Sequence, residues 1–405
     1  MQYTESRYRW VILALTTVTA IIVVAMPGMA MSVLSTEIAA ELHLSLVQVG
    51  VIWGIAALPG IVSGVLGGAL GDQLGPKWVL TFGCLVLGLV GAARVWAVDY
   101  PSLLVLALLI GAVTPFVTMN LLKQCGQWFP LRQLGLANGI ISMGMAFGFL
   151  SGSFFSATVF SPWLGGWRQV FLFYGIAGAL FSIPWAFVRT PYLPGAAAGR
   201  ASALKAMRQG LAYVARRRDV WLLGLVIFGV GGCVQGVLGY LPLYLRDLGW
   251  SSVRADGALS TFHLVSMLAV LPIALSSDRL GSRKRLLLGA GLLLALGVGL
   301  LVLLRGGAIW VAVIMAGLMR DAFMSLFITL IFEVEGIGAA YAGTATGVVM
   351  AFGGLGSFLA PPIGNNLAGI TLQMPFLFWA ILAAGGLGCL LLVRGKTQQP
   401  RLASQ

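Results

Sequence analysis

Four ionisable residues sit where this chain leaves least room for charge. Lys123, His263 and the adjacent pair Arg320 and Asp321 each fall within an otherwise uncharged run long enough to cross a lipid bilayer. An ionisable side chain at bilayer depth costs at least about 2.5–3.5 kcal/mol on insertion scales, so such residues face a wet cavity or a partner. Three of the four are basic or can become so, and one is acidic. A cavity with that balance favours an anion, because a bound negative group offsets the surplus positive charge.

Arg320 is the first candidate for the anion contact. Its planar fork can hold a carboxylate or nitrate through two parallel hydrogen bonds and stays protonated; the competing reading is a structural pair with a carboxylate on another helix. Neighbouring helical residues point about 100° apart, so Asp321 is not expected to pair with Arg320 on one face. Asp321 could instead carry a coupling proton, bridge to Lys123, or neutralise a local charge. Lys123 lies about 9 Å from the end of its run, six residues before Phe129, and reads either as an anion contact or as a lysine snorkelling to the boundary. Asn120, one turn earlier, shares its face. The ordinary range of a histidine side chain suits a proton step near neutrality, so His263 reads either as a proton carrier or as a hydrogen-bonded packing residue. Gln235, Tyr240 and Trp53 are further substrate-site candidates, with Asn365 and Asn366 as additional polar candidates; for the aromatic Tyr240 and Trp53, membrane-interface placement or packing is the plainer alternative.

The elements that must position these groups follow from composition. With 59% hydrophobic residues, 9% charged and a mean hydropathy of +0.97, a 405-residue chain has lipid as its solvent. A hydrocarbon core of about 30 Å needs about 20 helical residues. Uncharged runs of that length predict ten spans, over about Trp10–Ser35, Val47–Leu70, Val79–Val98, Ser102–Phe129, Gly135–Phe160, Gln169–Val188, Val220–Leu245, Gly257–Ser277, Leu286–Leu304 and Ala308–Phe332. The tract from Gly336 to Val393 divides into two more, split at Pro361, Pro362, Asn365, Asn366 and Pro375, which makes twelve. Many of the 55 glycines recur inside these runs, where they let helix backbones approach closely. The N-terminal run is too long for a cleavable signal peptide.

The chain is also duplicated. GGALGDQLGPKWVL at residues 67–80 returns 206 residues later as LPIALSSDRLGSRKRLLL, with Asp72 matched by Asp278 and Gly75 by Gly281. Each copy follows a membrane-length run, so the same polar turn falls at the same face in both halves. An even number of spans puts both termini on one side. That side owns eighteen Lys and Arg against five in the opposite loops, namely Arg94, Arg168, Arg246, Arg254 and Arg305. By the positive-inside rule both termini are expected in the cytoplasm. The net charge of +13 then reflects topology and anionic lipid and does not call for nucleic acid. Residues 189–218, with the basic tract ALKAMRQGLAYVARRR, predict a cytoplasmic linker lying on the inner leaflet between halves at 1–188 and 219–405.

The doubled turn, the two six-span halves and the central basic linker resemble the major facilitator superfamily of secondary transporters over essentially the whole chain. Gly68, Leu70, Gly71, Asp72, Gly75 and Lys77 fit that family's motif between spans 2 and 3, while Gln73 and Pro76 stand at the usual arginine positions. The second copy supplies Ser277, Asp278, Arg279, Gly281 and Arg283. The resemblance implies that Gly68, Asp72, Gly75, Lys77, Asp278, Arg279, Gly281 and Arg283 form a conformational latch between the halves that does not touch substrate. It also implies that spans 1, 4, 7 and 10 line a central cavity. GQWFPLRQLGLANGI and GGWRQVF look like the span 4–5 and span 6 entries of that superfamily. RWVILAL, LSLVQVG and the triplet WFP look similar to its anion:cation symporters and nitrate, nitrite and cyanate porters.

The sequence therefore predicts an all-α membrane protein of twelve transmembrane helices in two pseudo-symmetric bundles. Its expected work is to move a small inorganic or organic anion across a prokaryotic cytoplasmic membrane by alternating access, with protons as the coupling ion and the chain as a monomer. A proton-driven exporter and a sensor without turnover are the alternatives. No cofactor or metal is expected: Cys84, Cys125, Cys233 and Cys389 sit inside spans without metal spacing, and paired catalytic carboxylates and nucleotide-binding glycine loops are missing from the sequence, which argues against an enzyme.

Overall fold

The computed structural model describes residues 7–189, 209–277, 283–333 and 338–393, and within these the chain is helical with short turns. Eleven helices among the described residues are long and apolar enough to cross a membrane. In chain order we name α1 Tyr8–Val33, α2 Leu46–Leu74, α3 Pro76–Trp96, α4 Tyr100–Trp128, α5 Arg132–Leu164, α6 Trp167–Phe187 and α7 Arg218–Asp247. A further 26-residue helix, α8 Ser252–Ser277, follows. Then come α9 Arg283–Leu303, α10 Gly306–Phe332, α11 Gly343–Leu367 and α12 Met374–Leu392. Large apolar side chains such as Val62, Leu89, Phe147, Leu268, Leu296 and Ile381 are left on the outside, as a lipid-facing surface requires.

Local chemistry sets the helix ends. Ser45 and Gln48 form a reciprocal capping box at the start of α2, and Asp99 with Ser102 does the same for α4. Gly75, at φ +82°, makes the tight turn between α2 and α3 that a residue with a Cβ rarely adopts. The sequence puts the split between the last two helices within Pro361, Pro362, Asn365, Asn366 and Pro375, and the turn does fall inside that stretch. Pro361 and Pro362 lie inside the helix that runs to Leu367, and the turn is at residues 368–373. Prolines persist inside spanning helices because neighbouring groups re-satisfy the freed carbonyls.

The internal repeat reappears as packing. A Cβ on Gly111 of α4 would meet the backbone of Ala56 in α2, with the Ala56 oxygen at 2.1 Å; 206 residues on, a Cβ on Gly317 of α10 would meet the backbone of Phe262 in α8, at 2.6 Å from its oxygen. Both partners of the contact are thus displaced by the same interval. We call the side of the bundle holding Tyr8, the Gly75 turn and Val393 the terminal face, and the side holding Ser35–Glu41 and Leu248 the far face.

Hydrogen bonds that join the first six helices to the last six gather toward the far face. Ser32 Oγ donates to the Leu238 carbonyl, Trp53 Nε1 to Gln235 O at 2.7 Å, Arg246 Nη1 to Thr36 Oγ1 at 3.3 Å, and Asn365 Nδ2 to Leu46 O at 2.9 Å. Toward the terminal face, Tyr213 of the segment preceding α7 stacks on Tyr341 at a centroid distance of 4.4 Å.

Candidate functional site

Between the helices lies a cavity of about 470 Å³, walled by α1 to α6 with Gln235 from α7. Its lining residues include no aspartate or glutamate. Trp53 and Gln235, two of the sequence candidates, both line it, and the Trp53 indole donates to the Gln235 carbonyl, so this contact joins α2 to α7 at the cavity wall.

The charged residue on the wall is one that sequence reasoning missed. Arg94 was expected in an opposite loop, because the apolar run ends around it. The helix in fact carries on through a 3-10 turn at Arg94–Trp96, and the side chain turns inward, 6% exposed, with its Cζ 4.5 Å above the Phe171 ring of α6. Its Nε has no hydrogen-bond partner among the described residues. The signal that could have found it is an arginine before Trp96 and Asp99, where a capped helix start at Asp99 leaves too few residues for a free loop.

Arg320 begins a new helical segment after a break at Met319, whose φ of −108° and ψ of 0° end the segment Ile309–Leu318. That break corrects the expectation about Asp321. Arg320 Nη1 lies 3.2 Å from Asp321 Oδ1, because a long side chain leaving the first turn of a helix can fold back to its neighbour. Asp321 Oδ2 also accepts from Ser266 Oγ of α8 at 2.7 Å, and Ser266 Oγ accepts from the Asp321 backbone N–H at 3.1 Å. His263 is 1% exposed, with Nδ1 3.4 Å from Arg320 Nη1 and its Nε2 without a partner among the described residues. The Arg320 guanidinium and the His263 ring both sit on Phe149 of α5, at 5.5 and 5.7 Å, and Phe149 lines the cavity. Arg320 is therefore one aromatic ring behind the wall. By the 206-residue offset Arg320 and His263 correspond to Thr114 and Ala57, and both of those line the cavity.

Three expected substrate contacts go elsewhere. Lys123 Nζ donates to Asp72 Oδ1 at 2.5 Å and to the Gly68 carbonyl, so it neither faces the cavity wall nor bridges to Asp321; the carboxylate of α2 is simply nearer than that of α10. Asn120 is fully buried and donates to Gly67 O at 2.9 Å and Phe116 O at 2.8 Å, clamping α4 onto the glycines of α2. Tyr240 is fully buried among Tyr244, Phe376 and Trp379, its hydroxyl donating to Leu372 O at 3.2 Å, which makes it part of the α7–α12 core.

Of the latch residues, Gly68, Asp72 and Gly75 assemble around Lys123 and the α2–α3 turn, all within the first half, and Lys77 lies 5.1 Å from the Trp78 ring. Asp278, Arg279 and Gly281 lie outside the described residues, and Arg283 opens α9. The far face carries its own polar closure. Arg246 Nη2 lies 2.6 Å from the fully buried Asp256, Ser161 Oγ donates to Glu37, and Glu41 accepts from Trp167 Nε1 at 2.5 Å and Arg168 Nε at 2.9 Å. Burial raises the Glu41 carboxyl, but hydrogen bonds from Arg168 and Trp167 and the Arg168 charge together outweigh it and hold the pKa below its ordinary value.

Comparison with known proteins bears on the whole chain. Residues 13–361 match the family model described as Major Facilitator Superfamily. Over 168 residues the chain is 27% identical to a protein of Escherichia coli (strain K12) described as "Probable galactarate/D-glucarate transporter GarP", covering 38% of this chain and 36% of that one. It is 28% identical over 163 residues to solute carrier family 49 member A3 of Danio rerio, 39% of this chain and 34% of that one. The chain thus matches about a third of the length of these curated relatives. Among solved structures it superimposes on a bacterial homologue of the human lysosomal transporter Spinster in an inward-facing, occupied conformation, with a TM-score of 0.77 and 15% identity over 96% of this chain and 97% of that one. It likewise superimposes on a D-xylose–proton symporter, with a TM-score of 0.75 and 16% identity over 96% and 98%. These structural likenesses show the fold.

Proposed function

The chain belongs to the major facilitator superfamily and is a multi-pass membrane transporter, and from that premise we propose that it carries a small anion by alternating access of its two halves, coupled to protons. The observation that carries the sign of the cargo is electrostatic. The cavity wall holds Arg94 and no carboxylate, while Arg320 stands behind Phe149 at its edge. The relative described as a galactarate/D-glucarate transporter, whose named substrates are anions, supports the same reading.

Asp321 supplies the coupling. Ionised, it neutralises Arg320 at 3.2 Å from Nη1; once protonated it leaves the Arg320 charge uncompensated behind Phe149, which favours an anion in the cavity, so that proton and cargo load together. His263, on the other side of Arg320, is the second proton candidate. The terminal face is the cytoplasmic one by the excess of Lys and Arg. A cell interior at negative potential opposes anion entry by about 2.3 kcal/mol per charge per 100 mV, and one or more accompanying protons remove that barrier.

The test is uptake and counterflow of radiolabelled anions in proteoliposomes with and without an inward acid gradient. Asp321→Asn is expected to retain counterflow and to lose gradient-driven accumulation. Absence of flux for every anion in the wild type, or accumulation indifferent to the acid gradient, overturns the anion or the proton part respectively.

A further inference from the structure

The cavity wall separates into one unsatisfied cation and a surface whose polar groups are already engaged. Arg94 is more than nine-tenths buried, lines the cavity, and has Phe171 as its side-chain contact; no ion pair or side-chain hydrogen bond satisfies it among the described residues. A guanidinium carries five donors and keeps its proton, so at this depth it is completed by an acceptor that arrives from outside. The other polar side chains on the wall have little left to offer. Thr114 and Thr118 donate to the carbonyls of Ile110 and Pro115, Tyr174 shares a hydrogen bond with Ser156 at 2.9 Å, and the Trp53 indole is held by Gln235 O. The Gln235 amide is the remaining free group on this wall among the described residues. Most of the surface is apolar, from Met29, Ile52, Leu87 and Phe149.

We propose that Arg94 is the anchor for a carboxylate and that the cargo is a monocarboxylate with a compact apolar body. This rests on the anion reading above and narrows it. A polyhydroxylated sugar acid brings several hydroxyls that each need a partner on leaving water, and a second carboxylate that needs a second free cation. The wall provides neither, since its hydroxyls are already engaged and Arg320 stands behind Phe149 rather than on the wall. A single carboxylate on Arg94 with an aliphatic or aromatic body against the methionines and Phe149 satisfies the cation and excludes water from the apolar wall. The volume of about 470 Å³ is of the size that takes a small organic acid.

The experiment is thermal stabilisation of the purified full chain by benzoate, hexanoate, galactarate, nitrate and neutral benzamide, on the wild type, Arg94→Lys, Arg94→Gln and Arg320→Gln. Benzoate and hexanoate are expected to stabilise the wild type more than galactarate, nitrate or benzamide at equal concentration. Arg94→Gln weakens benzoate binding by at least about tenfold, as expected for loss of a charge-assisted hydrogen bond. Arg94→Lys, which keeps the charge, falls between and serves where the neutral variant does not fold. Stabilisation by galactarate above benzoate overturns the monocarboxylate assignment. Benzoate binding unchanged in Arg94→Lys and Arg94→Gln but lost in Arg320→Gln overturns the anchor and leaves the anion reading standing. Equal stabilisation by benzoate and benzamide overturns both.

Discussion

Removing Arg246 tests how the far face is held. Arg246 Nη2 and Asp256 Oδ1 lie 2.6 Å apart, with side chains 12% and 0% exposed. At an effective dielectric of about 20 the attraction at that separation is roughly 6 kcal/mol, most of it offset by stripping water from both charges. The net value of such a pair is small, but deleting one partner strands the other, which costs about 3–5 kcal/mol. Asp256 is poorly placed to absorb that loss, since its Oδ2 already lacks a partner among the described residues. Arg246→Ala should therefore lose roughly 3–5 kcal/mol of unfolding free energy, measured by denaturant titration in mixed micelles with tryptophan fluorescence. Adding Asp256→Asn removes the stranded charge, so the double variant should regain at least about 2 kcal/mol over Arg246→Ala, a coupling typical of residues in one network. A double variant no more stable than Arg246→Ala, or an Arg246→Ala protein as stable as the wild type, refutes the reasoning. Because Arg246 also donates to Thr36 of the first half, the same variant should raise labelling of cysteines introduced on the cavity wall from the far side.

Further expectations follow from single contacts. Gly111→Val drives a side chain into the Ala56 backbone, and Gly317→Val does the same at Phe262; each should abolish a monodisperse elution peak, whereas Gly126→Ala, with open space around its Cβ, should elute normally. Asp72 and Lys123 are 73% and 32% exposed, so Asp72→Asn should cost no more than about 1 kcal/mol of stability. If the α2–α3 turn acts in the transport cycle, counterflow by that variant should nevertheless slow several-fold; unchanged turnover would restrict the turn to a structural role. Glu41 has a depressed pKa in the folded state, so its stabilising contribution is present above the ordinary glutamate range and disappears as pH falls through the folded value. Thermal stability of Glu41→Gln should accordingly lie below the wild type near neutrality, and the gap should close as acidification below the ordinary glutamate range protonates the folded carboxyl; curves parallel at all pH values would contradict this.

The sequence alone determined the solvent, the span count and the duplication, because each is a property of residues counted along the chain. Hydropathy is a sum of per-residue transfer energies, and a repeat at an interval of 206 needs no coordinates to be seen. It also singled out Arg320, Asp321 and His263, since charge at bilayer depth is costly wherever the helix turns out to face. Their meeting across α8 and α10 was less accessible, because the fold-back of Arg320 onto Asp321 depends on the helix break at Met319. What only the tertiary structure decided was the choice of partner for each polar group. Lys123 finds Asp72 51 residues away, Asn120 finds Gly67, and Tyr240 enters an aromatic cluster with α12. Arg94 is the sharpest case. By hydropathy it marks the end of a span, yet the rotation of α3 and the approach of Phe171 on α6 turn it into the charged residue of the cavity wall. Rotation and approach depend on how glycines and side chains of distant helices pack, and that information is distributed over the whole chain rather than carried by any local run.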